Sequence, residues 1–64
     1  MKTTFKELRL ASGLSQMKLA KKLGVTQVAV SMWERGVTKP DIINALSLSK
    51  VFRVSVNKVI SLYL

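Results

Sequence analysis

The chain has no cysteine and no histidine among its 64 residues, and only three acidic side chains, Glu7, Glu34 and Asp41. Without cysteine there is no disulfide and no thiolate chemistry, which argues against a secreted, stapled scaffold. Without either residue the usual zinc ligands are missing, so no metal site is expected. Three carboxylates and no histidine offer no nucleophile–base pair, and helix capping accounts for Glu7 and Asp41. No catalytic residue, no enzyme activity, no cofactor and no small-molecule ligand is therefore expected. No apolar run approaches the roughly 20 residues of a membrane span. The opening M-K-T-T-F-K-E lacks the apolar stretch of a signal peptide. The one proline argues against a long structureless segment. These absences leave a soluble intracellular domain, 1–64, as the expectation.

What the chain does have is positive charge. Eleven Lys and Arg against three acids give a net charge of +8. Such a field favours a polyanion: nucleic acid, an anionic membrane surface or an acidic protein. Composition does not choose among them. A domain of this size buries only about 60% of the surface of its unfolded chain, so self-association would be a natural supplement to a thin core.

The punctuation is helical throughout. T-F-K-E is a capping box, with Glu7 three residues after Thr4, and predicts a first helix running to about Ser12 before Gly13. Phe5 and Leu8 give it an inward stripe. Ser15 caps a second helix with Leu19, Ala20 and Leu23 on one face, ended by Gly24. Thr26 caps a third, running to about Arg35 before Gly36, with Ala29, Val30 and Trp33 facing the core. A fourth helix starts near Pro40 or Asp41, its expected inward residues Ile42, Ala45 or Leu46, Leu48 and Phe52. Ser55 caps a fifth carrying Val56, Val59, Ile60 and Tyr63. V-F-R-V-S-V alternates briefly but reads better as a helix end, a loop and a new cap. The expected fold is all-α, five short helices around one core.

The second and third helices, about residues 15–35, are joined by a tight Gly24-Val25 turn, the geometry of a helix-turn-helix. On the third helix Gln27, Val28, Ser31, Met32 and Arg35 fall on the side away from the core. Gln27 can bond bidentately to an adenine edge, or be a solvated residue after a cap. Val28 and Met32 are poor choices for water and suit thymine methyl groups, or else a protein surface. Ser31 and Arg35 can reach base or phosphate, or stay solvated. Ser15 and Gln16 open the second helix, where free N–H groups and the macrodipole attract phosphate. Lys39, on the loop after Gly36, is the leading phosphate lysine. Lys18, Lys21 and Lys22 add a general electrostatic contribution. Arg9 and Glu34 border the core and can pair there, or stand as independent surface charges.

The segment L-S-Q-M-K-L-A-K-K-L-G-V-T-Q-V-A-V-S-M-W-E-R-G-V-T-K-P resembles the Cro/C1-type (Xre family) helix-turn-helix of phage repressors and bacterial regulators. The likeness runs through Leu14, Ser15, Gln16, Leu19, Ala20, Leu23, Gly24, Val25, Thr26, Val30, Ser31, Trp33, Glu34, Gly36 and Pro40. Leu8, Arg9 and Gly13 extend it upstream, and Leu48, Phe52, Val54, Ser55 and Val59 downstream.

The resemblance implies a cytoplasmic protein of a bacterial or phage-infected cell. It also implies a lambda-repressor-like five-helix domain that binds operator DNA, usually as a homodimer on an inverted repeat. It places Gln27, Val28, Ser31 and Met32 at base-reading positions, Ser15, Gln16, Lys39 and Arg35 toward phosphate, and Arg9 with Glu34 at the family's ion pair. Val28 and Met32 stand where many relatives carry polar readers, which implies an operator richer in methyl contacts. Lys18 replaces a commonly acidic residue, and Ala45 and Ser49 are smaller or more polar than usual, which implies looser packing or a contact surface there. A start at Met1 and no second domain resemble a stand-alone Cro-like repressor. The apolar end, Val59, Ile60, Leu62, Tyr63 and Leu64, is the expected dimer contact. The competing reading is a protein-interaction module, antitoxin-like or antirepressor-binding, using the same helix face.

Overall fold

The helices are too short to persist alone, since isolated helices below about 12–15 residues are marginal in water. Their ends and their packing therefore decide the fold. The computed structural model describes residues 3–64; Met1 and Lys2 of the expected domain lie outside the described residues. It contains α1 (Phe5–Ala11), α2 (Gln16–Leu23), α3 (Gln27–Arg35), α4 (Ile42–Phe52) and α5 (Val56–Ser61), with no strand among the described residues. None of these helices is long and apolar enough to cross a membrane.

Each helix begins on a side-chain oxygen. Thr4, Ser15, Thr26 and Ser55 accept from the backbone N–H three residues on, each at 3.1 Å, and Asp41 does the same to Asn44 at 2.8 Å. One such cap is worth typically about 1 kcal/mol. Four helices also end alike. An N–H bonds the carbonyl five residues back: Leu14 to Arg9, Val25 to Ala20, Val37 to Met32 and Val54 to Ser49. The closure needs a left-handed residue at the turn. At the α2–α3 turn Gly24 supplies it with φ 72° and no Cβ penalty, whereas α4 ends on Arg53 at φ 56°. A side chain in that region costs roughly 1–2 kcal/mol, so the last turn of α4 carries strain that α2 avoids.

The core is one cluster. Leu19, Val30, Leu48 and Val59 are fully buried, one from each of α2, α3, α4 and α5. From α1, Phe5 meets Phe52 edge to face at 5.4 Å. Trp33, Ala20 and Ala45 complete it. Against this core α2 and α3 pack on each other, as do α4 and α5.

Two expectations about inward residues are corrected. On α4, Ala45, Leu48 and Phe52 face the core, while Ile42 is 62% exposed and Leu46 also lies outside. Ala45, Leu48 and Phe52 cluster on one arc, and Leu46 stands about 100° past Ala45, so the two cannot both point inward. Ala45 is buried and lines the floor of the groove between α4 and α5, and Ser49 turns its hydroxyl to Leu46 O at 2.7 Å. On α5, Val59 has no exposed surface and is no part of an outer contact, while Ile60 is the exposed residue.

Candidate nucleic-acid interface

The outward side of α3 follows from what its inward side does. Val30 and Trp33 are buried and Ala29 is half-buried, so the remaining arc is left to the outside. At about 100° per residue, Gln27, Ser31, Arg35, Val28 and Met32 share that arc. Gln27, Val28 and Arg35 are exposed, Val28 at 66%; Ser31 and Met32 are half-buried. Thr26 holds the first turn through Ala29 N, and Gly36 with Val37 closes the last one onto Met32 O.

No carboxylate opposes this face. Glu7 accepts from the Thr4 hydroxyl at 3.2 Å, Asp41 caps α4, and Glu34 is paired. Lys18, Lys21 and Lys22 on α2, Lys39 beyond α3 and Arg35 itself are exposed. All three acids are committed to local bonds, while these basic side chains stay exposed.

The angle of α3 is fixed by Arg9 of α1. Its Nε donates to Glu34 Oε2 at 2.8 Å, Nη2 to Glu34 Oε1 at 3.1 Å, and Nη1 to Leu14 O at 2.8 Å. The fork–fork pairing joins α1 to α3, and the third bond adds the loop before α2. Both side chains are about nine-tenths buried. The Arg9 hydrogen bonds hold the Glu34 carboxyl below its ordinary range against the opposing cost of burial, and a hydrogen bond from Gln16 adds to the effect. The same pairing raises Arg9. No buried polar side-chain atom among the described residues lacks a partner.

The start of α2 is laid out differently from α3. Ser15 is exposed, but its Oγ already accepts from Lys18 N, so only its hydroxyl proton remains to donate. Gln16 is half-buried, with its amide shared with Glu34. Lys39 stands on the 36–41 loop, where it forms one wall of an apolar groove with Pro40, Ile42, Ile60, Tyr63 and Leu64.

Three features had no counterpart in the sequence reading. Tyr63 donates its hydroxyl to Trp33 O at 3.0 Å, across 30 residues, so it serves the core side and not only an outer contact. Gln16 reaches Glu34. And α4 presents Ile42, Ile43 and Leu46 to the outside, Ile43 at 71% exposure. The last had a signal in the run I-I-N-A-L-S-L-S, which has no charged residue and more apolar positions than one inward stripe needs. The other two are tertiary contacts with no local mark.

Comparison with known proteins gives a consistent answer. A helix-turn-helix family model matches residues 5–59. The chain is 39% identical over 59 residues to the uncharacterized HTH-type transcriptional regulator YgzD of Bacillus subtilis, covering 92% of this chain and 89% of that protein. It is 34% identical over 55 residues to the HTH-type transcriptional activator BcrR of Enterococcus faecalis, covering 86% of this chain and 27% of that one. With repressor protein C2 of Salmonella phage P22 it shares 45% identity over 42 residues, 66% of this chain and 19% of the repressor. The chain thus spans most of the first relative and about a quarter or less of the other two. No solved structure matches it.

Proposed function

The chain belongs to the Cro/C1-type helix-turn-helix family of DNA-binding transcription regulators, and from that premise we propose that it is a Cro-like repressor laying α3 in the major groove of an operator. The observation that carries this reading is the outward arc of α3, where Gln27, Val28 and Arg35 are exposed and all three acids are engaged elsewhere. In the proposal Gln27 takes an adenine edge through its amide, Val28 and Met32 meet thymine methyl groups, and Ser31 reaches a neighbouring base. Arg35 and Lys39 flank that arc and neutralise phosphates, with Ser15 and Gln16 at the start of α2 on the backbone of the same groove.

The protein acts as a homodimer on an inverted repeat in this reading. The groove between α4 and α5 supports it, with a volume of roughly 170 Å³. Two chains of charge +8 repel, and a contact between them needs a surface low in charge. The outward side of α4 offers exposed Ile42, Ile43 and Leu46, and Ile42 shares the groove with Ile60 and Leu64. This moves the proposed contact from α5 alone to the α4–α5 edge. Sedimentation that finds a strict monomer, with and without duplex, removes the dimer.

Selection from a random duplex library, followed by titration of the recovered duplex at two salt concentrations, tests the main reading. A groove binder loses affinity steeply as salt rises, with a log–log slope of about −0.9 per neutralised phosphate. Absent or salt-insensitive binding turns the Val28–Met32 face into a protein-docking surface instead.

A further inference from the structure

We infer that Tyr63 is a positioning residue for DNA binding, which ties the far end of the chain to the last turn of α3 and to the loop carrying Lys39. The inference rests on the proposed reading of α3 and Lys39, and concerns a residue outside the groove-facing set.

The last carbonyls of a helix lack intrahelical partners and decide how its end is held. On α3 one of them, Trp33 O, accepts from Gly36 N at 3.2 Å and also from the Tyr63 hydroxyl at 3.0 Å. The second bond comes from outside the helix. Arg35 is the last residue of α3 and the 36–41 loop leaves it just past this point, so the hydroxyl grips the helix where its recognition arc ends.

The ring makes the same connection by packing. Tyr63 lines a crevice with Gly36, Val37, Thr38 and Lys39, and its other side closes the α4–α5 groove beside Pro40 and Ile42. It is therefore wedged between the loop bearing Lys39 and the edge where a second copy is proposed to sit. The residue is itself held from the core side. Val59 is fully buried, Leu62 N bonds Val59 O at 3.1 Å, and Tyr63 N bonds Ile60 O at 3.0 Å. Burial and the Glu34 charge push its phenol up to about 12, so the hydroxyl stays a donor well into the alkaline range.

Phenylalanine would fill the same space without reaching Trp33 O. Tyr63→Phe thus removes the tie and little else. Four proteins decide the matter: wild type, Tyr63→Phe, Lys39→Ala and the double variant, titrated by anisotropy against the duplex recovered by selection, over a range of salt. Tyr63→Phe is expected to weaken binding by roughly 3- to 10-fold, the size of one net hydrogen bond. It should also lower the salt slope by about 1, as loss of a phosphate lysine does. On the Lys39→Ala background the same change should have a clearly smaller effect, because one of the contacts it positions is already gone. Amide exchange at residues 36–38 of the DNA-free protein should quicken in Tyr63→Phe by a similar factor.

Equal binding by Tyr63→Phe and wild type overturns the proposal. So do effects of Tyr63→Phe and Lys39→Ala that simply multiply, because a purely structural tyrosine would act independently of Lys39. Unchanged exchange at 36–38 overturns the tie itself. A wild-type protein that binds no duplex sinks the underlying reading, and the exchange result then still reports separately whether Tyr63 holds the loop.

Discussion

On α3, Val28 is exposed beside Gln27, Ser31 and Arg35; on α4, Ile42 and Ile43 are exposed with no charged residue before Lys50. Both helices thus put apolar side chains outside, but in different company. A valine and a half-buried methionine among hydrogen-bonding groups suit a surface that offers methyl groups and polar edges together. A run of isoleucine and leucine without charge matches another apolar surface and rejects water. Exposure of an apolar residue carries its meaning only through its neighbours. The two faces are also held differently. The arc of α3 is set by a buried ion pair and a fully buried valine, whereas the α4 edge sits over a groove whose wall includes the chain's last residues.

The largest effect on both faces is expected at Arg9. Arg9→Ala removes the main partner of a Glu34 side chain that is about nine-tenths buried in the wild type. Loss of one member of such a pair typically costs about 3–5 kcal/mol, a large share of a small domain's stability. Thermal unfolding should show a fall of that order, and both faces should be lost together. The wild type should also show the pairing in its pH dependence. Because the folded Glu34 is held below its ordinary range, the stability it contributes is present above the unfolded carboxylate pKa. It is lost as pH falls through the lowered folded value. Arg9→Ala should lose much of that acid-side slope.

Ile42→Asn combined with Ile43→Asn breaks the α4 side alone. These side chains are 62% and 71% exposed, so monomer stability should change by no more than about 0.5 kcal/mol at each site. Self-association measured by sedimentation equilibrium should weaken by about 2–3 kcal/mol, roughly a hundredfold. Unchanged association would show that the α4 edge is not where two copies meet.

Much of this molecule could be read without coordinates, and the reason is local chemistry. Thr4, Ser15, Thr26 and Ser55 each bond an N–H three residues away, and Gly24 and Gly36 each take the left-handed turn beside them. Such signals lie within a few residues, so helix starts and stops were legible. The arc of α3 follows from periodicity for the same reason. On α4 periodicity was not enough. With Ile42, Ile43, Leu46 and Leu48 all apolar, two overlapping stripes compete, and only the position of the remaining helices decides that Ala45 goes inside. Arg53 is opposite in kind. Its left-handed backbone has no glycine to announce it, yet Val54 N still bonds Ser49 O at 3.0 Å. The Tyr63–Trp33 bond was illegible because its acceptor is a backbone carbonyl, which no side chain announces, and only the fold brings the Tyr63 hydroxyl within 3.0 Å of it.

Whether α3 reads bases is measured most directly by Gln27→Ala. Gln27 is exposed on the first turn of α3, beyond the core, so its removal should leave thermal stability nearly unchanged. Affinity for the selected duplex should fall by about 1–3 kcal/mol while affinity for random duplex stays the same, narrowing the ratio between them. Equal weakening on both duplexes, or none on either, would contradict the claim that this face of the protein carries its specificity.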